Sequence, residues 1–137
     1  MAIAKCKGTK LQHTISASLV DIAQLISIEH SGSKSETFDS TTLDGGVYKT
    51  KAQTGYSEGG TVSAELFYDP ALAGHQFITD LIAAPADNAM KIIYADTGVT
   101  AQLFTQAGVE YGVTVDMGDG LKGSVTYEVD GDPGWPT

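Results

Sequence analysis

Between Val109 and Asp130 apolar and polar side chains alternate along two runs joined by a glycine-rich turn, Met117-Gly-Asp-Gly-Leu121. That period of two is the mark of an antiparallel hairpin with one face on a core and one in water. Val109, Tyr111, Val113 and Val115 fall on one side of the first run, and Val125, Tyr127 and Val129 on the matching side of the second. The opposite side carries Glu110, Thr114 and Asp116, then Lys122, Ser124, Thr126, Glu128 and Asp130. A hairpin cannot bury its apolar face alone, so the rest of the chain must supply the second layer.

Further strands are predicted over Thr14–Val20, Gln24–Glu29, Thr61–Tyr68, Met90–Ala95 and Val99–Thr105. In the third of these, Val62, Ala64, Leu66 and Tyr68 share a face opposite Ser63 and Glu65. One helix is predicted over 71–84, with Asp69 as its cap, Pro70 at its first position and Pro85 beyond its end. Leu72, Phe77, Leu81 and Ile82 form its apolar stripe. The expectation is a mainly-β domain, a sandwich or barrel of about seven strands with one flanking α-helix. From His30 to Gly60 breaker residues dominate, including Gly32, Gly45, Gly46, Gly55, Gly59 and Gly60, and only Val47–Thr50 suggests a short strand. A loop of that length in a compact domain usually has a task.

The 137 residues suit one domain, with 1–12 as an N-terminal arm, 31–60 as the long loop and 131–137 as a C-terminal tail. Trp135 in that tail is either disordered with it or docked on this body or a neighbour. A lone cysteine, Cys6, excludes an internal disulfide and fits a reducing cytoplasm. The first residues lack the apolar core of a signal peptide, and no apolar run approaches the roughly 18 residues of a membrane span.

Charge excludes more. All eight cationic residues are lysines, against 17 acids, giving −9. Residues 1–52 hold six lysines and five acids (+1), while residues 53–137 hold two lysines and twelve acids (−10), and the two sums give −9. A chain without arginine, and acidic over most of its length, is not built for sequence-specific DNA recognition.

The catalytic motifs lack their contexts. Gly55-Tyr-Ser57-Glu-Gly59 matches a nucleophile elbow, with His75 downstream, but a polar loop precedes Ser57 and a strand follows it. Gly118-Asp-Gly120-Leu-Lys-Gly123 matches a dinucleotide fingerprint but joins two strands, so it reads as a turn. His13, His30 and His75 lack ligand spacing and are expected in surface or capping roles. Asp116, Asp119, Asp130 and Asp132 fit no EF-hand. No enzyme, metal or cofactor is expected.

Ser40-Thr-Thr-Leu-Asp44, then Gly59-Gly-Thr-Val-Ser-Ala-Glu-Leu-Phe-Tyr-Asp-Pro70 with His75 and Phe77, resembles the major tail tube proteins of long-tailed bacteriophages. Gly123-Ser-Val-Thr-Tyr-Glu-Val-Asp-Gly-Asp-Pro133 is similar to the family's last strand and its closing turn. Gene transfer agents use related tails, and the type VI secretion tube shares the fold. The resemblance implies a β-sandwich with one helix, assembled as hexameric rings that stack into a virion tail tube. It implies self-association, a tape-measure protein in the lumen, tail terminator and distal tail or baseplate partners, and DNA passing without sequence-specific binding.

On that reading Thr41, Thr42, Leu43, Tyr48, Lys49, Lys51 and Tyr56 belong to an inter-subunit loop. Glu65, Glu110, Asp116, Ser124, Thr126 and Glu128 line the lumen. Lys5, Lys7, Lys10, Lys34, Lys49 and Lys51 are expected to meet acidic surfaces of neighbours. The alternatives are a tail terminator or connector ring of similar fold, or a monomeric acidic β-sandwich that binds carbohydrate or a host protein.

Overall fold

The computed structural model describes residues 5–15, 17–95, 100–118 and 120–135. In chain order the elements are β1 (Lys5–Ile15), β2 (Ser18–Asp21), β3 (Leu25–Ser31), β4 (Lys34–Asp39), β5 (Lys51–Glu58), β6 (Thr61–Phe67), α1 (Ala73–Ala83), β7 (Asn88–Ala95), β8 (Ala101–Asp116) and β9 (Gly120–Asp130). Seven strands form one antiparallel sheet in the order β2-β1-β7-β8-β9-β6-β3, and among the described residues β4 pairs only with β5. The sheet curls until Lys7–Thr9 of β1 and Leu25–Ile28 of β3 face each other across a cleft. The mainly-β expectation holds, with nine strands rather than about seven among the described residues.

The inner face of this curl is the core. Leu11, Val62, Leu66, Met90, Ile92, Val125 and Tyr127 are almost wholly buried there, and Ile78 of α1 closes it. The alternation in β6 is as predicted: Val62, Ala64 and Leu66 point in, and Glu65 points out.

Four boundaries differ from expectation. The strand predicted over Thr14–Val20 is a hairpin, because the chain reverses between Ile15 and Ser18. Most of the predicted N-terminal arm, residues 5–12, lies in β1. The strands predicted at Val99–Thr105 and Val109–Asp116 merge into β8, and the predicted start at Val99 lies outside the described residues. A bulge at Ala107, between the pairs Gln106↔Val129 and Gly108↔Glu128, explains the apparent break. The inserted residue moves the core-facing side from Gln102, Phe104 and Gln106 to Val109 and Tyr111. Helix α1 starts later than predicted: Asp69 accepts the Ala71 N–H at 2.9 Å and shapes the turn, while Leu72 is the cap residue. Its inward face is Gly74, His75, Ile78 and Leu81, and Ile82 of the predicted stripe is exposed.

Two of the histidines expected in surface or capping roles, His13 and His75, are buried. His75 accepts the Asp69 N–H on Nδ1 (3.0 Å) and donates from Nε2 to Ala23 O (2.7 Å), tying the helix turn to the β2–β3 connection. His13 bonds the Tyr127 hydroxyl through Nε2 at 2.6 Å, with the Phe77 ring 5.1 Å away. Its Nδ1 is buried without a partner, and burial pushes its pKa down to about 4. Burial, with a smaller contribution from Tyr111, raises the Tyr127 hydroxyl well above its ordinary range, so the pair is neutral at pH 7.

Candidate assembly surfaces

The segment expected to be a loop is a projecting two-stranded arm. Strands β4 and β5 pair from Lys34↔Glu58 at the root to Asp39↔Lys51 near the tip. The predicted strand Val47–Thr50 instead belongs to the irregular tip. Asp39 accepts the Thr41 N–H at 2.9 Å, and the hydrogen bonds from Thr41 hold its carboxyl below the usual range. The Thr41 hydroxyl accepts the Thr50 N–H (2.9 Å) and donates to Thr50 O (3.2 Å), so Thr41 is turned into the arm as a clamp. Thr42, Leu43, Tyr48, Lys49, Lys51 and Tyr56 all stand in solvent, Leu43 and Tyr48 almost fully. Phe38 and Val47 add to this apolar tip, and sequence reading missed both.

The register gathers the polar residues of four strands on the outer face of the sheet. One row runs Ser27, Glu65, Ser124, Gly112; the next runs Glu29, Ser63, Thr126, Glu110; a third runs Ser31, Thr61, Glu128, Gly108. The six residues expected to line a lumen thus share one face by register, Asp116 at the hairpin end opposite Gly120. Glu29, missed from sequence, joins them. Beyond the first of these rows, Lys122 pairs with Phe67 and Thr114 and stands 5.9 Å above the Phe67 ring.

The strands β8-β9-β6-β3 have a free edge at each end. Strand β3 pairs only with β6 among the described residues. Strand β7 covers β8 only as far as Gln106, leaving Gly108–Asp116 paired on one side alone. Open edges of this length are normally covered by something. Beside the β8 edge the apolar face runs out past the core: Val113, Leu121 and Met117 are exposed, and Val115 is 80% exposed. The sequence pattern had placed Val113 and Val115 on the core. They alternate correctly, but no layer lies beneath them. An apolar patch of this kind marks a contact surface.

The remaining motifs have no chemistry around them. Ser57 lies in β5 with another strand after it, and His75 is held by two backbone partners. Gly118 belongs to the β8–β9 turn, and Gly120 opens β9. Asp119 lies outside the described residues. Among the described residues no group of three or more metal-ligating side chains is found, and no helix is long and apolar enough to cross a membrane.

The fold of this chain, a curled antiparallel sheet with one helix, is shared with chains of other solved structures. It is seen in a chain from the tail of an empty gene transfer agent particle, solved with helical refinement and C6 symmetry. That chain is 14% identical, with a TM-score of 0.66 over 89% of this chain and 90% of that one. A chain from the six-fold symmetrised baseplate of the anti-feeding prophage gives a TM-score of 0.65 at 10% identity, over 95% and 93%. A chain from the native gene transfer agent virion gives 0.61 at 14% identity, over 89% and 92%. No protein-family model matches the chain, and no curated protein matches it in sequence.

Proposed function

We propose that this chain is a structural subunit of a virion tail, closing into rings that stack as a tube for DNA. The observation that carries the reading is the pair of free edges on β8-β9-β6-β3. Three antiparallel steps separate β8 from β3, so the two edge strands run in opposite directions. Edge β3 of one copy therefore pairs antiparallel with Gly108–Asp116 of the next, and the sheet continues from copy to copy. Strand β3 has seven residues, which fit within that stretch of β8. The exposed Val113, Val115 and Leu121 then enter the neighbour's cleft beside Leu25–Ile28. A head-to-tail contact of this kind makes rings where the rotation closes.

Two chains of this fold come from assemblies solved with C6 or six-fold symmetry, which supports six copies. Six copies of four strands at about 4.8 Å spacing give a barrel roughly 115 Å around and about 37 Å across between backbones, before strand tilt widens it. The face toward the lumen carries Glu29, Glu65, Glu110 and Glu128 among Ser and Thr. At −9 per copy, a six-membered ring bears about −54 formal charges and repels phosphate, so DNA slides without adhering. The arm, with Leu43, Val47, Tyr48, Lys49 and Lys51 at or near its tip, reaches the adjacent ring. A tape-measure protein, a terminator and distal tail or baseplate proteins complete the set of partners.

Negative-stain electron microscopy of the purified chain tests this reading. Tubes are expected. Isolated rings that never stack favour a terminator or connector, and monomers at high concentration refute the proposal.

A further inference from the structure

We propose that the C-terminal segment Gly131–Trp135 is a clasp that positions the arm by locking its root to the sheet. The arm leaves the body through two stems, Gly32–Ser33 and Gly59–Gly60, and beyond them β4 and β5 pair, among the described residues, only with each other. Its direction is therefore set at the root. One ring, His30, sits there. Its Nε2 donates to Gly59 O at 2.7 Å, joining the end of β3 to the opposite stem. Its Nδ1 accepts from Gln102 Nε2 at 2.9 Å.

The same Gln102 nitrogen donates to Pro133 O of the tail at 2.8 Å, while its Oε1 accepts the Tyr94 hydroxyl at 2.6 Å. The Trp135 indole lies on the His30 face, 4.5 Å between centroids and 21° from parallel. His30 is thus held at its edge by the stem and on its face by the tail.

Glycines allow this closeness. A Cβ at Gly59 would stand 2.6 Å from Gly131 O, and one at Gly60 (φ +87) would stand 2.2 Å from Ser31 O. The Val129 N–H reaches Gly60 O at 3.1 Å. Gly134, at φ +72, lies so close to β8 that a Cβ would fall 1.8 Å from Leu103 O. The Gly134 N–H closes the tail's own turn on the Asp132 carboxylate at 2.8 Å. The root is a packed joint rather than a hinge, and half of the joint is the tail. A cleft of about 520 Å³ between them is lined by Ser33, Lys34, Ser57, Glu58, Asp132 and Trp135.

The consequence for assembly rests on reading the arm as a contact between rings, but the clasp itself does not. Hydrogen exchange on Trp135→Ala, Gly134→Ala and Trp135→Phe separates the two. Exchange at 30–35 and 57–61 is expected to rise about tenfold in Trp135→Ala and Gly134→Ala, in keeping with the loss of one aromatic stack. Trp135→Phe keeps a stacking ring and should stay near the parent, and the global unfolding midpoint should hold in all three. Unchanged exchange at the arm root overturns the clasp, as does a uniform rise that includes β7 and β9.

If the variants fail to fold, Trp135 is the only tryptophan and reports on the unmodified chain. A red shift of its emission in mild urea should coincide with loss of protection at 30–35 and 57–61. A shift with those amides still protected overturns the proposal. A loosened arm root with normal tubes leaves the clasp standing and refutes the arm's role in stacking.

Discussion

Replacing Val115 separates folding from assembly, because this side chain is 80% exposed in the single subunit. Exposed substitutions of this kind shift folding stability by no more than about 0.5 kcal/mol. In the proposed ring, Val115 would enter the neighbour's cleft beside β3. Full burial of a valine is worth roughly 1.5–3 kcal/mol, and about four-fifths of that remains available here. Val115→Ala therefore costs about 1 kcal/mol per subunit contact, about a fivefold rise in the concentration needed for assembly. Val115→Asp adds an unpaired carboxylate in an apolar cleft and should raise it at least about a hundredfold. Pelleting over a concentration series reads the threshold, and urea unfolding of the dilute subunit reads stability. Assembly of Val115→Asp at the parent threshold would refute the β3–β8 contact.

Other expectations follow from separate parts of the molecule. Lys49→Glu with Lys51→Glu should leave rings intact but impair stacking, and normal tubes at physiological salt would contradict it. His13 is depressed from 6.5 to about 4 by burial, so the unfolded chain takes up a proton first as pH falls. The stability it confers is complete above pH 6.5 and is lost on acidification toward pH 4, by about 3 kcal/mol in all. In His13→Gln that part of the slope should vanish, so equal slopes of urea midpoint against pH in parent and variant would sink the assignment. Gly60→Ala forces a Cβ against Ser31 O at φ +87 and should lower stability by about 1–3 kcal/mol, measured by urea unfolding.

Much of the sheet was legible because alternation in β6, β8 and β9 reports directly which side is wet. The same rule misled at Ala107, where one inserted residue exchanged the faces and made a single strand read as two. Gln102 and Gln106 carry no apolar signal, yet both are buried and bonded, to Tyr94, His30 and Pro133 in one case and to Ala86 in the other. The arm was hidden because its strands, Lys34–Asp39 and Lys51–Glu58, have no core to face and hence little apolar alternation. Pattern placed Val113 and Val115 on the correct face. It could not reveal that the core ends before them, since that depends on how far β7 and α1 extend. The free edges of β3 and β8 are a property of topology and have no local signature. Thr41 looked like a contact residue because its segment resembles a family motif, while its hydroxyl is spent inside the arm.

In the proposed tube the subunit completes its sheet with the next copy, edge β3 on edge β8, around an acidic channel. A cryo-electron-microscopy map of the assembled protein, at a resolution that traces main chain, tests it most directly. Hydrogen-bonded β3 and Gly108–Asp116 are expected at every subunit boundary, with Glu29, Glu65, Glu110 and Glu128 facing the lumen. A map in which β3 stays unpaired, or in which those carboxylates face outward, would contradict it.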